Sequence, residues 1–262
     1  MPVWDLNSAT ASLTGVAAFG GLLAVGSDTL TVRSLGGNQK AELVGFGRKG
    51  ATAGSCRIRS PFLHDPTNGI RSRVLAADPS TVFDYALTQP LRGQDPLTFE
   101  STGGAAAEQE SGWMLIYYDT LAGAPTKFVH AAEIDSRSIE FVTNEVAVTG
   151  GAAATWGSSL LSAGTGELKA DQEYAVVGYN LDVACTAIGI AGPDTGNFRT
   201  GGPGLTDRQQ TRQYFYRLSQ WTNYPACPVI NAQNATGTSI FVVDSAGATA
   251  VNVDLVLARL KK

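Results

Sequence analysis

Apolar and polar residues alternate in short runs along most of the chain, and Gly, Pro, Asn and Asp fall between the runs. A two-residue period is that of a strand with one buried face. Segments 29–33, 42–46 and 55–59 fit it, and 81–87 and 97–100 are further strand candidates. Residues 113–118 are apolar throughout, which predicts a strand buried on both faces. Segments 127–132 and 138–143 close the first half. The second half carries candidates at 145–149, 155–161, 174–179, 183–190, 227–231, 239–243 and 250–257. That makes about eight strands in each half. Their spacing, with turn residues between them, predicts sandwiches or barrels and not βαβ units.

Two segments read as helical. In 207–221, Thr206 or Asp207 can serve as the N-cap. Thr211, Phe215 and Leu218, with Tyr214 and Trp221, recur there at helical spacing. The second is short, 104–110, with three alanines and two glutamates. The Gly- and Pro-rich stretch 191–205 reads as an ordered loop built on turn chemistry, and as the first candidate for a contact loop. No sequence repeat links the halves. The chain divides into 1–143 and 144–262, with one elaborated sandwich over 1–262 as the alternative. Residues 6–27 carry no charge, but their Gly, Ser, Thr and Asn content speaks against a membrane span. The first residues lack the basic start of a secretory signal, and both ends are expected to be pinned.

Composition sharpens this picture. Charged residues make up 16% of the 262 positions, against about 25% in ordinary soluble domains. So sparse a charge implies that much of the surface is covered by something else. The net charge of −4 speaks against a broad grip on nucleic acid. Arg48, Lys49, Arg57, Arg59, Arg71 and Arg73 nevertheless crowd one stretch, opposed there by Asp65. They form either a solvated or interface face, or a patch for phosphate or lipid headgroups. The three cysteines, Cys56, Cys185 and Cys227, show no CxxC spacing. That excludes a disulfide framework or zinc site as the organising element, and Cys185 reads as a core residue.

No catalytic set emerges. His64 sits in a turn signature and His130 in an expected strand. GxSxG, HExxH, Walker and GxGxxG motifs are all missing from the sequence. Asp194-Thr195-Gly196 matches a bare aspartic-protease triplet, but without a second copy it reads as a turn. Glu133, Asp135, Glu140 and Glu145 read as edge-strand charge and not as a glycosidase pair or metal cage. Gly202-Pro203-Gly204 lacks the lysine of a phosphate cradle. The sequon Asn234-Ala235-Thr236 is expected to be unused, because no leader accompanies it. Trp113, Tyr117 and Tyr118 read as core and not as a sugar platform. Tyr214, Phe215, Leu218 and Trp221 are the candidate assembly residues: one side of their helix docks on the sheet, and the rest meets a neighbour. No residue is assigned to catalysis, a cofactor or a metal.

Low charge, many strands and no active-site set suit a subunit that hides its flanks against copies of itself. In the second half a strand precedes the loop and helix, and three strands follow. The first half repeats this order around 104–110. The layout resembles the tandem jelly-roll major capsid proteins of tailless prokaryotic DNA viruses. The resemblance is one of pattern and covers most of the chain. It implies an all-β fold of two tandem eight-stranded jelly-roll sandwiches. In that family a helix lies between the sixth and seventh strands of each roll. Segments 207–221 and 104–110 would be those helices, the latter shorter than the family's. The resemblance further implies a non-enzymatic major capsid subunit that forms trimers, tiles an icosahedral shell and resides in the virion. Its partners would be its own copies, other virion proteins, and an internal membrane or genome facing 48–73 or Lys261-Lys262; it implies no cofactor and no small-molecule substrate. The segments 192–197 and 227–231 also look like phage structural proteins. The rival readings are a penton, tail or fibre component, a carbohydrate-binding sandwich, and a β-sandwich hydrolase.

Overall fold

The computed structural model describes residues 1–13, 18–50, 52–63, 65–74, 88–102, 108–120, 126–152, 155–166, 168–244 and 247–261. In chain order the strands of the first half are β1 (Val3–Leu13), β2 (Gly20–Gly21), β3 (Leu23–Ala24), β4 (Ala41–Lys49), β5 (Gly54–Arg59), β6 (Ile70–Val74), β7 (Gln89–Leu91), β8 (Thr98–Ser101) and β9 (Glu108–Tyr118). There follow β10 (Phe128–Val129), α1 (Ala131–Arg137), β11 (Ser138–Thr149), β12 (Gly157–Leu160), β13 (Glu173–Leu181), β14 (Ala187–Ala191) and β15 (Thr200–Pro203). The chain ends with α2 (Arg208–Thr211), α3 (Tyr214–Thr222), β16 (Cys227–Asn231), β17 (Ser239–Val243) and β18 (Ala250–Leu260).

The class is all-β, and four antiparallel sheets pack as sandwiches. Their strand orders are β3-β1-β9-β4-β7 and β2-β8-β5-β6 in the first half, and β10-β16-β13-β18-β11 and β12-β17-β14-β15 in the second. With the short outer strands β3 and β10 set aside, each half carries the same arrangement. Strands 1, 8, 3 and 6 form one sheet, and 2, 7, 4 and 5 the other. Inside the first half, Val3, Met114 and Ile116 of one sheet meet Cys56, Ile58 and Phe99 of the other. The other faces of β1 and β9 are also buried. Trp4, Leu6, Trp113, Leu115 and Tyr117 join the core of the second half, with Ile188, Val242, Val253 and Leu255. The unbroken apolar run at 113–118 is thus a strand with a core on each side, as expected.

Several expectations need correction. Segment 29–33 is irregular and holds one isolated bridge, Thr31 to Pro96, because a proline has no N–H with which to extend a ladder. Segment 127–132 gives only the two residues of β10 before α1 begins at Ala131. Segments 138–143 and 145–149 are one strand, β11, so the division between 143 and 144 falls inside a continuous ladder with β18. Of 183–190, only the part from Ala187 is strand. Within the loop 191–205 lies β15, whose Gly202 makes room for Tyr214: a Cβ there would collide with that ring. Glu108 to Glu110, expected as helix, begin β9; residues 104–107 lie outside the described residues, as does 81–87. The segment therefore lies between β8 and β9, the seventh and eighth strands of that order, and not between the sixth and seventh, β7 and β8. The strand β1 went unpredicted because its buried polar residues interrupt the apolar pattern. Each has a dedicated partner: Asp5 receives Arg33 Nε at 2.8 Å, Asn7 Oδ1 accepts from Thr29 N, and Ser8 Oγ donates to Gly112 O.

Segment 207–221 is helical but broken. Asp207 caps α2 as expected, accepting from Gln209 N at 2.9 Å. The helix stops at Arg212, and α3 starts afresh after Gln213 at φ −124°. Both pieces lie between β15 and β16 in the chain and pack against β13. Gly178 lets them close in, since a Cβ there would meet the Thr211 carbonyl. Among the described residues, no helix is long and apolar enough to cross a membrane.

Candidate functional site

The basic stretch splits three ways. Arg48 is no part of a surface patch. Its side chain and that of Glu110 are wholly buried. Arg48 Nε donates to Glu110 Oε2 at 2.6 Å, Nη1 donates to Thr52 O at 3.0 Å, and Ser101 Oγ donates to the same carboxylate. Gly50 and Gly54 flank the guanidinium so closely that a Cβ on either would collide with it. Lys49 is mostly buried and reaches into the second half, to Asp244 at 2.7 Å and the Ala184 carbonyl at 2.9 Å. The other four residues are brought together. Across β5 and β6, Arg57 stands opposite Arg71 and Ser55 opposite Arg73, so Arg57, Arg59, Arg71 and Arg73 share the outward face. Glu100 pairs with both Arg57 and Arg59. The guanidiniums of Arg57 and Arg71 lie 4.1 and 4.9 Å from the Phe19 ring centroid. Asp65 accepts from the backbone of Thr67 and Asn68 in its own turn.

The aromatic helix divides by depth. Tyr214, Phe215 and Leu218 lie in the protein's own core, packed on Tyr179. Tyr214 Oη donates to Gly201 O at 3.3 Å. Burial pushes the phenols of Tyr179 and Tyr214 well above their ordinary pKa. Of the four candidate assembly residues only Trp221 is exposed, at 42%. Two further apolar side chains stand in solvent on β11, Ile139 at 47% and Phe141 at 63%. They alternate outward on the last strand of their sheet. On the outer side of α2 and α3, Arg208, Gln209, Arg212, Gln213 and Arg217 line a concavity of about 430 Å³. The sequence reading passed over these residues, although three arginines on the polar side of an amphipathic segment were visible there.

The remaining candidates do not converge. His64 lies outside the described residues. His130 caps α1, its backbone N–H donating to Glu133 Oε1. Asp194 holds a turn as expected: its carboxylate accepts from Asn231 N at 3.0 Å and Asn234 Nδ2 at 2.9 Å, with Lys127 at 3.7 Å. Glu133 pairs with Arg137, Asp135 accepts from Tyr216 Oη, and Glu140 pairs with Arg259. Among the described residues no cluster of His, Cys, Asp or Glu could hold a metal. All three cysteines are buried and free, and burial pushes the thiols of Cys56 and Cys185 up to about 12. Trp113, Tyr117 and Tyr118 are core residues.

Polar links cross between the halves beside the shared core. Arg199 pairs with Asp28 at 2.6 Å, Trp156 Nε1 donates to the same carboxylate, and Tyr224 Oη donates to Glu42 at 2.9 Å. Tyr224 also stacks on Tyr117, 4.1 Å between ring centroids. Comparison of the chain with known protein families finds no match, and neither does comparison with curated proteins.

Proposed function

We propose that this protein is a structural subunit of a virion: a tandem jelly-roll capsid protein that assembles with copies of itself and catalyses nothing. The observation that carries the reading is the strand order shared by both halves, 1-8-3-6 against 2-7-4-5. That is the order produced when a long hairpin of eight strands rolls into two facing sheets, the architecture common in viral shells. α2 and α3 lie between β15 and β16, the fifth and sixth strands of that order, one connection earlier than the resemblance implies, so the strand order and not the helix position supports the reading. Exposed Ile139, Phe141 and Trp221, on a chain poor in charge, supply apolar surface for contacts between copies. In this reading trimers tile a closed shell through many individually weak contacts. The arginine face of β5 and β6 would turn toward anionic material inside the particle.

Native mass by light scattering, with electron microscopy of the same fraction, tests this directly. Trimers or closed particles are the expected result. A monomer that persists at high concentration overturns the reading, and Phe141→Asp should shift the distribution toward monomer without lowering the melting temperature.

A further inference from the structure

We propose that the concavity on α2 and α3 is a binding site for a polyphosphate anion. The site stands independently of the shell reading. Its lining is Arg208, Gln209, Arg212, Gln213 and Arg217: three guanidiniums, two amides and no carboxylate. Among the described residues none of the three arginines is in an ion pair, although 23 acidic residues face 19 basic ones in the chain. Asp207, next to Arg208 in the chain, and Asp135, which meets Tyr216, are engaged elsewhere. Asp207 caps α2 and accepts from Gln210 Nε2 at 2.8 Å, and Asp135 accepts from Tyr216.

The break between the helices builds the site. On one continuous helix Arg217 would lie about 140° around the axis from Arg212, at about 100° per residue. The stop at Arg212 and restart after Gln213 turn Arg217 back to the same concavity. That geometry is held from beneath by Gly178 against Thr211, and by Tyr214, Phe215 and Leu218 in the core. Like charges are thus gathered on a fixed frame before any ligand arrives, which lowers the ordering cost of binding. A guanidinium grips a phosphate through two parallel N–H donors. Three of them around one concavity match a chain of linked phosphates better than a single phosphate. Inorganic triphosphate and a nucleoside triphosphate both offer that chemistry.

Isothermal titration of the purified full chain with inorganic triphosphate, a nucleoside triphosphate, orthophosphate and citrate tests the site. Triphosphate should bind saturably and at least tenfold more tightly than orthophosphate or citrate. Arg212→Gln and Arg217→Gln should each weaken it about tenfold, the loss of one charge-assisted contact, with melting temperature unchanged. Arg73→Gln, on the distant sheet face, should have no effect. Equal affinity for the two triphosphates means that phosphate alone is read; tighter nucleotide binding adds contacts from the nucleoside. No binding, equal binding of citrate, or loss of binding in Arg73→Gln but not in Arg212→Gln overturns the proposal.

Discussion

Arg48 and Glu110 form an ion pair wholly out of water, an arrangement whose value lies in completeness. Each charge would be costly to bury alone, and their attraction with two further hydrogen bonds offsets that cost. Removing one partner therefore differs sharply from removing both. We expect Arg48→Ala to lower stability by about 3–5 kcal/mol, whereas Arg48→Met with Glu110→Leu should lose far less or nothing. Urea unfolding with unchanged m-value separates the two outcomes. Equal losses would show that packing, not uncompensated charge, dominates. The sequence could not reveal this pair. Arg48 sits among glycines and next to Lys49, which reads as exposed, and its partner lies far along the chain on β9. The four arginines of β5 and β6 were legible as a patch because they are close in sequence and their register puts them on one face.

Elements were legible where one local signal decided them. The apolar run of β9 announced a strand with two buried faces, and Asp207 announced the start of α2. Elements built on tertiary contacts were not. Gly202 of β15 read as loop because Tyr214, which needs the space, arrives only in the fold. The break between α2 and α3 leaves the helical periodicity intact, so 207–221 read as one helix. Gly178 holds the break against the sheet. It sits where the register of β13 on β18 shifts between Val176 and Gly178, and α2 crosses directly above. We expect Gly178→Ala to cost about 1–3 kcal/mol through overpacking. Amide exchange in 208–217 should accelerate more than elsewhere, as α2 lifts. Uniform acceleration across the chain would mean that the contact merely adds to global stability.

At the scale of the molecule, the two halves repeat one strand order but do not keep separate cores. Trp4, Leu6, Trp113, Leu115 and Tyr117 point away from the interior of the first half and into the second. Lys49 to Asp244 and Asp28 to Arg199 fix the junction at its polar margin. A sequence read in two halves at 143/144 could not show this, because the apolar run of β9 marks both of its faces as buried without saying what buries them. The chain should therefore unfold as one cooperative unit despite its repeated plan. A fragment ending after Tyr118 would return those side chains to water, each worth about 1.5–3 kcal/mol when buried. That loss would rival the whole stability of a domain this size. We expect the fragment to bind a hydrophobic dye and to self-associate, and the full chain to show a single calorimetric transition whose van't Hoff and calorimetric enthalpies agree. Two separated transitions, with a soluble monomeric fragment, would mean that the shared face is an interface between independent domains. The apolar exposure on Ile139, Phe141 and Trp221 would then be one of two weak seams, and assembly would have to be tested against domain separation before it was credited to contacts between copies.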